Sequence, residues 1–202
     1  MLNRLEQELA CPCIVVIGTT GAGKSLSLEL IERSYMAERV RRFTTRSPRK
    51  DDDAKLVVHV EQISPEKSSF VYDGWGDTRY CIQASDLIAI RAKFKSPLVE
   101  LGDPTDAIRF RMQFAPAKIV CLWRDMDAVA LEKLFGTRNI SEDQKKLRLE
   151  SLEEDILRLR KGFNDYDFVI QNNSSVDALF ESWREILKQL NVPAIENWRG
   201  VV

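Results

Sequence analysis

Eight residues, Gly18 to Ser25 (GTTGAGKS), do more than any others to limit what this chain folds into. They stand between a continuous apolar run, Cys13 to Ile17, and a stretch in which Leu26, Leu30 and Ile31 recur at helical spacing to about Ala37. A short unbroken apolar run reads as a strand buried on both faces. Strand, glycine turn and helix together open an α/β unit. The spacing G-x-x-x-x-G-K-S then states what the turn is for. Glycines let backbone N–H groups curl around phosphate oxygens with no Cβ in the way. The start of the helix adds the partial positive charge of its N-terminus. At these offsets Lys24 reaches the β- and γ-phosphates of a nucleotide and Ser25 ligates Mg²⁺. A turn built only for tightness needs neither residue. The phosphate-binding set is therefore Gly18, Thr19, Thr20, Gly21, Ala22, Gly23, Lys24 and Ser25.

The remaining pattern predicts strands at Leu56–Val60, Tyr80–Ile82, Pro97–Leu101, Lys118–Trp123 and Asp167–Gln171. It predicts helices at Ser85–Lys93, Asp103–Phe114, 126–135 and 142–161, and a last amphipathic helix carrying Val176, Leu179, Phe180, Trp183, Leu187 and Leu190, capped by Ser174 or Ser175. Alternating strands and helices in 202 residues give one domain of the α/β class with a mostly parallel sheet covered on both faces. Charges nearly cancel, at a net −1, so no basic field points to nucleic acid. No apolar stretch approaches the roughly 20 residues needed to cross a bilayer. Residues 1–10 lack the apolar centre of a signal peptide. The four cysteines fit neither a zinc spacing nor a disulfide framework, and Cys13 and Cys121 fall in apolar runs as core thiols. The single His59 cannot build a histidine metal site and reads as structural. The expected setting is reducing and cytoplasmic, with no membrane or nucleic-acid partner, and the protein a monomer or homodimer.

A cradle alone suits a GTPase, an ATPase or a kinase. The next segments narrow the choice by resemblance. Thr44, Thr45, Arg46, Ser47, Pro48, Arg49 resembles the T-T-R-x-P-R signature of guanylate kinases, whose two arginines bind the acceptor phosphate; paired guanidinium forks suit a phosphate dianion. Tyr80, Cys81, Ile82 stands where that family has a tyrosine contacting the same phosphate. Arg138 to Asp143, followed by Lys146, Leu147, Arg148 and Leu149, resembles the family's lid, whose arginines approach the transferring group. Asp167 to Asn173 resembles its last strand, with Asn172 at the asparagine near the adenine. Glu100 takes the first place of an acidic strand end. The resemblance runs from about residue 13 to 190. It implies a three-layer P-loop fold with a core at 11–37, 94–135 and 162–192, a small acceptor-binding lobe at about 38–90 and a helical lid at about 136–161. It also implies ATP and Mg²⁺ as cofactors, with Lys24, Arg138 and Arg148 catalytic and Arg46, Arg49, Tyr80 and Glu100 holding the substrate.

Several positions that in that family read guanine, complete the acceptor site or belong to the lid differ here. Arg42 replaces a serine, Val58 a tyrosine, Ile82 a serine or threonine, Gly102 an aspartate and Leu134 a lid arginine. No acidic match stands near Tyr72 and Asp73. Groups that handle phosphate are thus retained, while groups that would hydrogen-bond guanine are mostly absent, and a site without such groups no longer discriminates by them. The leading expectation is a guanylate-kinase-like nucleoside monophosphate kinase acting on a GMP-like acceptor. Two alternatives stay open: a kinase resembling ribose 1,5-bisphosphate phosphokinase, and a non-catalytic module binding phosphopeptides at the acceptor site.

Overall fold

The computed structural model describes residues 11–48, 52–64, 69–74, 77–125, 127–136 and 142–195. A five-stranded parallel sheet forms the centre. Strand β1 (Cys13–Gly18) lies between β7 (Ser96–Glu100) and β8 (Ala117–Trp123); β2 (Ala37–Arg39) lies outside β7 and β9 (Phe168–Gln171) outside β8. Side-chain parity along β1 sorts the core into two layers. Ile14 and Val16 face helices α1 (Lys24–Ser34) and α7 (Val176–Gln189), where they join Leu28, Ile31, Leu179, Trp183 and Leu187. Cys13, Val15 and Ile17 face the other way, toward Leu87 and Ile90 of α2 (Ala84–Arg91), Ala107 and Phe110 of α3 (Pro104–Gln113) and Leu159 of α6 (Leu152–Lys161). Both faces of β1 are buried, which is why its sequence is a continuous apolar run rather than an alternation. The result is a three-layer α/β fold.

A second sheet holds β4 (Val57–His59), β3 (Arg42–Thr44), β6 (Arg79–Gln83) and β5 (Ser69–Asp73) in that order, with only the β3–β4 pair parallel. It is not an independent lobe energetically. Phe70, Tyr72 and Ile82 are buried in the same cluster as Val15 and Val99, and Phe70 meets Phe110 of α3 edge-on at 5.2 Å. Two further helices, α4 (Ala128–Gly136) and α5 (Glu142–Glu150), pack with α6 around Leu131, Phe135 and Leu152.

Three expectations need correction. The first helix ends at Ser34, not near Ala37; Tyr35 is extended and bridges Ala194, and Ala37 opens β2. The stretch 142–161 is two helices, interrupted at Ser151. Its apolar stripe serves two cores, since Leu149, Leu152 and Ile156 pack with Phe135 while Leu159 enters the central cluster, and one straight helix would not serve both. Strands β2, β3 and β5 went unforeseen. The first two are three residues long and carry Glu38, Arg39 and Arg42, so they show no apolar periodicity. The final helix is capped by Ser175, whose hydroxyl accepts from the Ala178 N–H. All four cysteines are free and buried, and burial pushes the Cys13 and Cys121 thiols up to about 12.

Candidate active site

The glycine loop leaves β1 where the parallel sheet presents its carboxyl end. Gly18 holds φ +151°, and a Cβ there would stand 2.1 Å from the Leu122 carbonyl oxygen. Gly21 and Gly23 also take positive φ, at 83° and 96°. At Gly23 a Cβ would come within 2.8 Å of Asn172 Nδ2. Glycine is thus required at 18 and 23 by space as well as by conformation. The loop turns into α1 at Lys24. The Lys24 ammonium donates to the carbonyls of Gly18 (3.0 Å) and Thr19 (3.1 Å), which holds the charge over the mouth of its own loop. Thr19 Oγ1 is buried with no hydrogen-bond partner among the described residues, a polar remainder that an approaching phosphate would satisfy. Ser25 is exposed at the first turn of α1. Among the described residues no cluster of three His, Cys, Asp or Glu could hold a metal ion. The Ser25 hydroxyl is a side-chain oxygen of the loop that could contribute to a Mg²⁺ site.

Asn172 follows β9 and bonds the glycine loop directly. Its Nδ2 donates to the Ala22 carbonyl at 2.8 Å, and its own N–H bonds the Trp123 carbonyl. It braces the loop.

Gly18, Thr19, Thr20, Gly21, Gly23, Lys24 and Ser25 form one wall of a cavity of about 830 Å³. That volume lies within the range of small-molecule sites. Arg42, Arg46, Tyr72 and Tyr80 line it from the second sheet and the segment that follows β3, and Glu100 lines it from the end of β7. Tyr80 on β6 stacks on Tyr72 of β5 with ring centroids 5.2 Å apart and planes 17° apart. The Arg42 guanidinium lies 5.8 Å from the Tyr80 ring centroid and 3.8 Å from Glu100 Oε2. Burial pulls the Arg42 titration down, but Glu100, Tyr72 and Tyr80 outweigh it and the net shift is upward, so the group stays charged. The Tyr72 hydroxyl is raised, chiefly by burial. A Cβ at Gly102 would meet nothing within 4 Å, so the cavity keeps open space beside Glu100.

Arg46 follows β3 and is almost wholly enclosed, with 8% of its side chain exposed. Its Nη1 donates to Asp52 Oδ2 at 2.9 Å and to the Ser47 carbonyl at 2.9 Å, and its Nη2 pairs with Asp52 Oδ1. On the opposite wall, Arg158 of α6 donates to Asp103 Oδ2 at 2.9 Å and to Glu154 at 2.7 Å. The Asp103 carboxylate also caps α3 by accepting from the Thr105 N–H at 2.7 Å. Asp155 lines the same side, and burial raises its carboxyl.

The structure therefore brings the glycine loop, Lys24, Ser25, Arg46, Tyr80 and Glu100 around one cavity. Arg49 and Arg138 lie outside the described residues. Arg148 stands on α5, and its side chain lies outside the described set too. Arg158, Asp52 and Asp103 were missed as site residues. Arg158 belongs to a helix whose charges all look solvated in the sequence. Asp52 sits in an acidic run that reads as a counterweight to the basic stretch before it.

No protein-family model matches this sequence, and no curated protein does. The fold does have a solved counterpart. A guanylate kinase from Anaplasma phagocytophilum superposes with a TM-score of 0.58 over 89% of this chain and 85% of its own, at 18% identity. That likeness establishes a guanylate-kinase-like fold. Among the described residues no helix is long and apolar enough to cross a membrane.

Proposed function

We propose that this protein is an ATP-dependent kinase that transfers the γ-phosphoryl group to the phosphate of a small acceptor, a GMP-like nucleoside monophosphate being the first to test. One observation carries the reading: an intact glycine loop with its lysine and an enclosed arginine fork line the same 830 Å³ cavity. The loop amides and Lys24 would hold the donor's polyphosphate and neutralise charge as it spreads over the transferring group. Ser25 would hold Mg²⁺, a Lewis acid that shares that charge. Arg46 and Tyr80 would fix the acceptor phosphate. Its oxygen is already ionised, so no general base is needed and catalysis is positioning plus charge neutralisation. A reducing, cytoplasmic setting suits the four free thiols.

A second reading is favoured by Arg42, Glu100 and Gly102. They put a charged pair and open space where a guanine-reading set would stand, so a phosphorylated sugar without a base also fits. The phosphopeptide-binding alternative leaves Lys24 and the strained glycines without a task. A single assay separates the three. Mg·ATP is incubated with GMP, dGMP, AMP, CMP, UMP or ribose 1,5-bisphosphate and ADP release is followed. Turnover of one nucleotide supports the leading reading, turnover of the sugar bisphosphate alone supports the second, and silence on all acceptors with phosphopeptide binding supports the third.

A further inference from the structure

We infer that Asp52 and His59 are positioning residues for Arg46: they lock its guanidinium so that a single two-point fork is left for an acceptor phosphate. The inference rests on the acceptor reading above. A guanidinium carries five N–H donors. Arg46 Nη1 spends both of its own, on Asp52 Oδ2 (2.9 Å) and the Ser47 carbonyl (2.9 Å), and Nη2 spends one on Asp52 Oδ1. The donors left are Nε–H and the second Nη2–H. These project from one edge of the plane and form the side-on fork, which matches two oxygens of a phosphate. The carboxylate occupies the end-on edge, so the two anions need not compete. Both partners are enclosed, with side chains 8% and 13% exposed, so Arg46 has already lost the rotamer freedom that ligand binding would otherwise remove.

His59 completes the lock from β4. Its Nδ1 lies 2.8 Å from the Arg46 carbonyl oxygen and its Nε2 lies 3.1 Å from Asp52 Oδ2. Carbonyl and carboxylate oxygens only accept, so both contacts are hydrogen bonds only when the ring carries a proton on each nitrogen. The neutral ring keeps one of them. The neighbouring strand β3 sets the uncharged Thr44 in register with His59. Among the described residues, Asp52 and Arg46 are the charged residues that bond the imidazole. Arg46 is thus held by a carboxylate, and the carboxylate by an imidazole.

The test uses the full chain with GMP and ribose 1,5-bisphosphate as acceptor probes at saturating Mg·ATP. Asp52→Asn should raise the acceptor KM about tenfold, the scale of a lost charge-assisted pair. It should leave the ATP KM within about twofold and kcat within about threefold, and Asp52→Glu should regain most of the loss. His59→Ala, which removes both contacts, should also raise the acceptor KM, by a smaller factor than Asp52→Asn. An acceptor KM that stays level or falls in Asp52→Asn, or an ATP KM that rises with it, overturns the inference. Side-chain NMR supplies a reading that needs no turnover. Wild type should show separate, slowly exchanging Arg46 Nη signals, identified by their loss in Arg46→Lys, and Asp52→Asn should average them. Averaged signals in wild type would overturn the lock. Should no probe be phosphorylated, the acceptor reading fails while this NMR contrast still decides the inference.

Discussion

Lys24 and Gly18 make opposite kinds of demand on the same loop. Lys24 is held by two carbonyls of its own loop, and on the proposed reading its removal deletes the cation that would meet the transferring group. Lys24→Ala should therefore lower turnover by roughly a hundredfold or more, with little change in melting temperature, as measured by coupled ADP release and thermal unfolding. Gly18→Ala attacks the backbone instead. Its methyl would stand 2.1 Å from the Leu122 carbonyl at φ +151°, so β1 and β8 must part. The expected loss is on the order of 1–3 kcal/mol in urea unfolding, and a midpoint equal to wild type would contradict the reading of this turn. The need for glycine at 18 was legible in the sequence, because the spacing of such a loop marks where the backbone must turn tightly. The partners of Arg46 were not. An ion pair between Arg46 and Asp52 depends on how residues 47–51 route the chain, and no local pattern encodes that. The bond from Asn172 to Ala22 was not legible either, since the two residues are distant in sequence.

Among the elements, the long ones announced themselves and the short ones did not. Buried parallel strands and amphipathic helices carry enough apolar residues to declare a period; β2 has Glu38 and Arg39 in three residues and is a strand because β7 pairs with it. Glu38 fastens that edge by accepting from Lys93 at 2.8 Å and Lys95 at 3.0 Å. Partial burial pushes its carboxyl up, but the two lysines outweigh that and hold it below its ordinary value. A carboxyl depressed in the folded state binds fewer protons there than in the unfolded chain, so stability rises with pH across that window. The contribution is complete above the unfolded titration, near pH 4.3, and fades as pH falls through the folded one. Glu38→Gln should melt about 2 °C below wild type at pH 7. That gap should close as the pH drops below roughly 4, and a gap of constant size across the series would exclude this origin.

At the scale of the molecule, the second sheet and the central sheet share one core. Phe70 is 2% exposed and packs on Phe110, while Arg109 lies over its ring at 5.2 Å. Phe70→Ala should cost about 3–5 kcal/mol, and the chain should still unfold in a single transition by both far-UV and near-UV circular dichroism. Two separated transitions would mean the acceptor side folds on its own. The α/β class, the parallel sheet and the cradle's place at the end of β1 were all readable beforehand, because crossover helices and buried strands leave strong patterns. The sharing of one core between the sheets was not, since it is set by contacts between residues distant in sequence.

The account stands most directly on where the γ-phosphoryl group goes. With ATP labelled at the γ position, Mg²⁺ and each phosphorylated acceptor in turn, label should pass to one acceptor, and Lys24→Ala should abolish the transfer. Label released only as inorganic phosphate, at a rate indifferent to every acceptor, would contradict it.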